Sequence, residues 1–168
     1  MRVFRGTLLL SIALASFSSS AEWLNKSEDD IFTGGKTSTL IVTLGNYDVG
    51  QGFIFDCSKD NLTFSYVEKS KDLSKAAVQV DMIVKVDSGV IIKTKGSTGV
   101  RNDEYSKIET DDRDNILEIL KAARNGKSKM VVGLSVPELN VRQSYTANMS
   151  GSTKAISDFA TSCGIDLK

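Results

Sequence analysis

Apolar residues in this chain recur at every second position over most of its length, and at every third or fourth position in two later stretches. The clearest alternation sets Val78, Val80, Met82, Val84 and Val86 against Gln79, Asp81, Ile83, Lys85 and Asp87, with only Ile83 spoiling the polar side. Asp87-Ser88-Gly89 supplies turn chemistry, and Val90 to Lys95 returns as a partner, so a long antiparallel hairpin is predicted. A second hairpin is predicted where Phe53, Phe55 and Cys57 alternate with Ile54 and Asp56. There Ser58 to Asn61 turns the chain, and Leu62, Phe64 and Tyr66 follow on one face. Thr37 to Leu44 reads as a strand leaving into a glycine-containing loop, Gly45 to Gly52. Met130 to Val136 reads as an apolar strand stopped by Pro137, and Val141 to Met149 as another extended segment. Lys95 to Lys107 is polar, contains Gly96 and Gly99, and reads as a loop with at most a short extended piece.

Two helices are expected. Thr110, Asp111 and Asp112 offer N-caps and negative charge at the positive end of the dipole, ahead of Ile116, Leu117, Leu120 and Ala123 at helical spacing. Lys121 and Arg124 lie near its end, and Gly126 caps it. Ser150-Gly151-Ser152 begins the second, whose apolar stripe is Ala155, Ile156, Phe159, Ala160 and Cys163 before Gly164. Together these elements predict an α+β fold: an antiparallel sheet or β-sandwich of about six to eight strands, two helices and one disulfide.

The first 21 residues have a different character. Arg2 and Arg5 precede an apolar stretch from Thr7 to Phe17, and Ser19-Ser20-Ala21 provides small residues for a signal peptidase. The reading is a cleaved signal peptide, 1–21, followed by one exported β-rich domain, 22–168, in the periplasm or secreted. The stretch is too short to span a bilayer and no later run approaches the roughly 20 apolar residues required, so no stable membrane insertion is expected. N-x-S/T triplets at Asn25, Asn61 and Asn148 matter only in a eukaryotic secretory route, and the bacterial look of the leader makes them chance matches.

Charge and composition narrow the chemistry. Twenty-one basic residues balance 21 acidic ones, leaving no footprint for nucleic acid. There is no histidine, which removes Ser-His-Asp and Cys-His catalysis and the usual His-containing zinc sites. Paired carboxylates and a Ser-Lys dyad survive that exclusion. Yet Asp48, Asp81, Asp103 and Glu104 do not single out a pair, and Ser58-Lys59, Ser128-Lys129 and Ser152-Thr153-Lys154 lack the S-x-x-K gap. The acids Glu109, Asp111, Asp112 and Asp114 lack the alternation and closing Glu of a calcium loop and are read as helix-capping charge. No metal or cofactor is expected.

Cys57 and Cys163 are the only cysteines. In an oxidising compartment one intramolecular disulfide is the natural pairing, with two buried thiols or an intermolecular bridge as the alternatives. The candidate binding residues lie in loops: Asn46, Tyr47, Asp48 and Gln51 in the Gly45–Gly52 segment, and Arg101 and Asn102 in the polar stretch. Glycines let backbone approach a ligand while these side chains stack or hydrogen-bond, although a plain connecting loop accounts for the same residues.

The order of landmarks, Trp23, then Cys57 in an early hairpin, then a closing strand, small-residue corner and helix with the second cysteine, carries a resemblance. The closing stretch from Tyr145 to Ile156, continuing to Cys163-Gly164, resembles the ending of the TagO/VasI family of periplasmic proteins associated with type VI secretion. A broader likeness to invasion-associated locus B proteins runs through the same ending. The family's central Trp-containing strand has no counterpart, since Trp23 is the only tryptophan, so the resemblance is that of a remote relative. It implies a non-enzymatic periplasmic accessory or binding protein whose partner is an envelope or secreted protein, and it transfers no site residue. The alternative expectation is a small secreted inhibitor of an envelope-attacking enzyme such as a lysozyme. A carboxylate-based hydrolase stands third.

Overall fold

The computed structural model describes residues 23–44, 50–70 and 77–168; residues 1–22, 45–49 and 71–76 lie outside the described residues. Strands β1 (Trp23–Asp29), β2 (Lys36–Thr43), β3 (Gln51–Cys57), β4 (Leu62–Lys69), β5 (Gln79–Val86), β6 (Ile91–Val100) and β7 (Tyr105–Thr110) precede helix α1 (Arg113–Asn125). Strands β8 (Lys129–Val136) and β9 (Val141–Asn148) and helix α2 (Ser152–Ser162) follow. The two hairpins and both helices stand where the periodicities placed them.

The strands form one sheet in the order β1-β2-β3-β4-β7-β6-β5-β8-β9, every neighbouring pair antiparallel. This corrects the expected six to eight strands, and the sheet curls into a half-barrel in place of a clear sandwich. Two strands account for the difference. In β1 only Trp23 is buried, so Trp-Leu-Asn-Lys-Ser-Glu-Asp carries no alternating apolar signal. The polar stretch Lys95–Lys107 is not a loop: β6 continues through it to Val100, turns, and returns as β7. Gly96 belongs to the ladder for a packing reason, because a Cβ there would lie 2.7 Å from Met82 Sδ and 2.9 Å from the Glu109 carbonyl oxygen. A glycine that reads as a loop marker thus marks a close approach within the sheet.

The concave face holds the core. Leu40 and Val42, Phe53 and Phe55, Phe64 and Tyr66, Val80 to Val86 in alternation, and Met130 to Leu134 in alternation all point inward and are buried. Ile116, Ile119, Leu120 and Ala123 of α1 and Ala155, Ile156, Phe159 and Ala160 of α2 fill the concavity. The curl brings the two edges of the sheet together at one point: Trp23 of β1 donates its indole N–H to the Asn148 carbonyl of β9 at 2.8 Å. Tyr66 of β4 and Tyr145 of β9 stack across the interior, ring centroids 4.2 Å apart.

Cys57 and Cys163 form the disulfide, joining the end of β3 to the end of α2 across 106 positions. Phe55 stacks on Phe64 at 4.5 Å and meets Phe159 edge-on at 6.4 Å, so the bond fastens a contact the aromatic side chains already favour. A loop of this length corresponds to about 4–5 kcal/mol in the chain-entropy model.

Candidate functional site

The strands β3 and β4 are buried on both faces, whereas an antiparallel sheet commonly leaves one face to water. The cause lies on the convex side. Ile41 of β2 pairs with Ile54 of β3, and Gly52 pairs with Val67 of β4, which together lay an apolar floor on the outer surface. The β6–β7 turn folds back over that floor, and Arg101, Asn102 and Tyr105 wall a groove of about 350 Å³ whose rim includes Gln51. That volume lies at the small end of the range typical of ligand pockets, and an apolar floor with a few hydrogen-bonding groups is their usual chemistry.

Each wall is held by identifiable bonds. Asn102 accepts the backbone N–H groups of Glu104 and Tyr105 through Oδ1, both at 3.0 Å, and the Arg101 N–H donates to the Tyr105 carbonyl at 2.9 Å. These bonds make a short Asx-type turn that would otherwise be unsatisfied backbone. The Arg101 guanidinium forks onto Asp56 of β3, with N–O distances of 2.7 and 3.3 Å, and Thr39 of β2 donates to the same carboxylate at 2.7 Å. Arg101 thereby crosses 45 positions of sequence to strap the turn to the sheet. A bidentate arginine is suited to this, since its planar fork fixes direction as well as distance. Lys69 and Glu104 add an exposed ion pair at 3.3 Å on the far side of the turn, and the Ser70 N–H donates to the Glu104 carbonyl at 3.0 Å. Gly50, at φ +55°, sits at the groove's edge where a Cβ would come within 2.8 Å of the Lys69 Cβ.

Of the candidate residues read from the sequence, Gln51, Arg101 and Asn102 meet at this groove although Gln51 opens β3 and the other two lie in the β6–β7 turn. Asn46, Tyr47 and Asp48 lie outside the described residues. The floor, Tyr105 and Asp56 escaped the sequence reading. A signal for the floor exists: Ile41, Ile54 and Val67 are apolar residues on the strand face opposite the core, in register with one another or with a glycine.

Several of the acids and serines weighed in the sequence make contacts within the fold. Asp112 caps α1, accepting the Asn115 N–H at 3.2 Å, and its carboxyl is held below the ordinary value by that bond and by the Asn115 side chain. Glu109 pairs with Lys107 at 2.6 Å. Asp81 pairs with Lys95 at 2.9 Å, and the buried Ser152 hydroxyl donates to the Ala123 carbonyl at 3.2 Å. Inside the half-barrel, burial pushes the Tyr66 phenol well above its usual range, helped by hydrogen bonding to Tyr145 and Glu68; its hydroxyl lies 2.9 Å from Glu68 Oε2. At neutral pH it is a hydrogen-bond donor and not a base. No family model, curated protein or solved structure matches the chain.

Proposed function

We propose that this is a non-enzymatic binding protein of the bacterial cell envelope, exported through its N-terminal leader, and that it recognises its partner with the convex groove. The observation that carries the reading is the convergence of Gln51, Arg101 and Asn102 on an apolar floor under a strapped turn. The groove offers shape, an apolar surface and amide and guanidinium donors, which are the means of recognition. The Asp56 carboxylate is engaged by Arg101 and Thr39 and so serves to hold the turn over the groove. The resemblance to TagO/VasI proteins adds a secretion-associated setting to the proposal.

The test is crosslinking in the envelope of the host that makes the protein, comparing the natural chain with Arg101→Ala and with a groove-filling Ile54→Trp variant. A partner recovered with the natural chain and lost from both folded variants supports recognition at the groove. Equal recovery with all three removes it.

A further inference from the structure

We infer that the tip of the β1–β2 hairpin is a second interaction surface, a preformed prong that seats in an apolar pocket rimmed by basic side chains on a protein partner. Ile31 and Phe32 are consecutive, large and almost fully exposed, at 85 % and 91 %, and no other described large hydrophobic is as exposed as Phe32. Ordinary surfaces scatter apolar residues singly; a large aromatic beside a branched aliphatic at a projecting point is the composition of an interface anchor.

The tip is built to project. Pairing between β1 and β2 continues to Asp29 and Lys36, whereas β3 joins β2 only from Ser38, so the hairpin runs past its neighbour before turning. The turn is fastened by its own first residue. Asp30 accepts the Phe32 N–H at 2.9 Å and the Thr33 hydroxyl at 2.5 Å, while its backbone N–H donates to Gly35 and its carbonyl accepts from Gly34 at 2.9 and 2.8 Å. A turn so closed presents Ile31 and Phe32 with little left to order on binding, which is how preorganisation raises affinity.

Charge selects the partner. From Glu28 to Lys36 the hairpin carries Glu28, Asp29 and Asp30 against one lysine, and the Asp29–Lys36 contact is long, 3.8 Å, and exposed. An anionic lipid surface would repel this tip. A pocket with an apolar floor and a Lys/Arg rim complements both of its features, and rim charges of this kind govern encounter rate and salt dependence.

The experiment places a photoreactive benzoylphenylalanine at position 32 of the full chain in its own host, with the same probe at Val90 and at Leu139, exposed by 84 % and 66 %, as controls. Expected is a crosslink from position 32, absent from the controls, to a protein peptide bordered by Lys or Arg. Its yield should fall about tenfold in an Ile31→Ser background and again in Glu28→Lys/Asp29→Lys, with the thermal transition unchanged. Arg101→Ala at the groove should leave the crosslink intact, so failure of the groove reading and failure of this one are separable. Adducts to lipid, adducts to a second copy of the chain, equal yields at all three positions, or indifference to charge reversal would each overturn the inference.

Discussion

The β3–β4 hairpin and the β5–β6 hairpin are built from similar alternating sequences, yet the first is buried on both faces and the second on one. In β5 the outward residues Ile83 and Lys85 face solvent, as in any half-covered sheet. In β3 and β4 the outward Ile54, Ser65 and Val67 are buried, with the β6–β7 turn folded over this side of the sheet. Double burial of an antiparallel hairpin points to a covering element, and the space left beneath that element is where this chain has a groove. The core-packing face and the groove are therefore opposite faces of the same two strands.

The largest effect on that comparison comes from the shared anchor. Replacing Cys57 and Cys163 together by serine should lower stability by about 4 kcal/mol, since the bond closes a 106-residue loop. Chemical denaturation of the two proteins checks it. The loss should be reproduced by reduction of the natural chain.

A smaller difference separates the outward isoleucines. Ile54→Ala removes a side chain 8 % exposed and should cost about 2–3 kcal/mol, while Ile83→Ala, at a position 38 % exposed, should cost about 1 kcal/mol or less. Equal values in a urea titration would show that the turn does not seal the outer face of β3. Arg101→Ala should cost about 1 kcal/mol, because the Asp56 pair is partly exposed and much of its attraction is shared with water. Its sharper signature should be local. Proteolysis within the β6–β7 turn should accelerate more than global unfolding does, and the opposite ranking would deny the strap.

The smallest effect lies in the one-faced half. Asp87, at φ +50°, accepts the N–H groups of Lys127 at 2.8 Å, Lys129 at 2.8 Å and Ser128 at 3.0 Å, and these bonds hold its carboxyl below the ordinary value. A carboxylate whose folded value is depressed adds stability above its unfolded value and loses it as pH falls through the folded one. Asn tolerates the same left-handed backbone. Asp87→Asn should therefore flatten the decline in stability as pH falls below the ordinary carboxylate range while retaining the turn, with the decline in the natural chain followed by thermal unfolding at stepped pH. An unchanged decline would assign the acid sensitivity to other carboxylates.

Most elements were legible because burial on one side leaves a period in the sequence. The alternations around Phe53 and Val80 and the stripes of α1 and α2 are records of a core face. Cys57 and Cys163 fell on those faces, which favoured their pairing over two buried thiols or an intermolecular bridge, and the structure shows the bond. β1 and β7 left no such record. Trp-Leu-Asn-Lys-Ser-Glu-Asp is a mostly exposed edge, and Tyr-Ser-Lys-Ile-Glu-Thr is half-buried up to its last residue, the buried Thr110. Their places are set by hydrogen bonds to neighbours, which every residue type can make. Gln51, Arg101 and Asn102 were readable as loop candidates, but Asp56 was not readable as the anchor of Arg101.

The sequence by itself determined the local periods, the caps and turns, and the pair of cysteines, because each depends on residues a few positions apart or on composition. The tertiary structure alone decided the nine-strand order, the curl that brings Trp23 to Asn148, and the fold-back of the β6–β7 turn that makes a groove from Ile41, Ile54 and Val67. Those features arise from contacts between segments far apart in the chain, where the winning arrangement is the one that covers the most apolar surface while every backbone group keeps a partner.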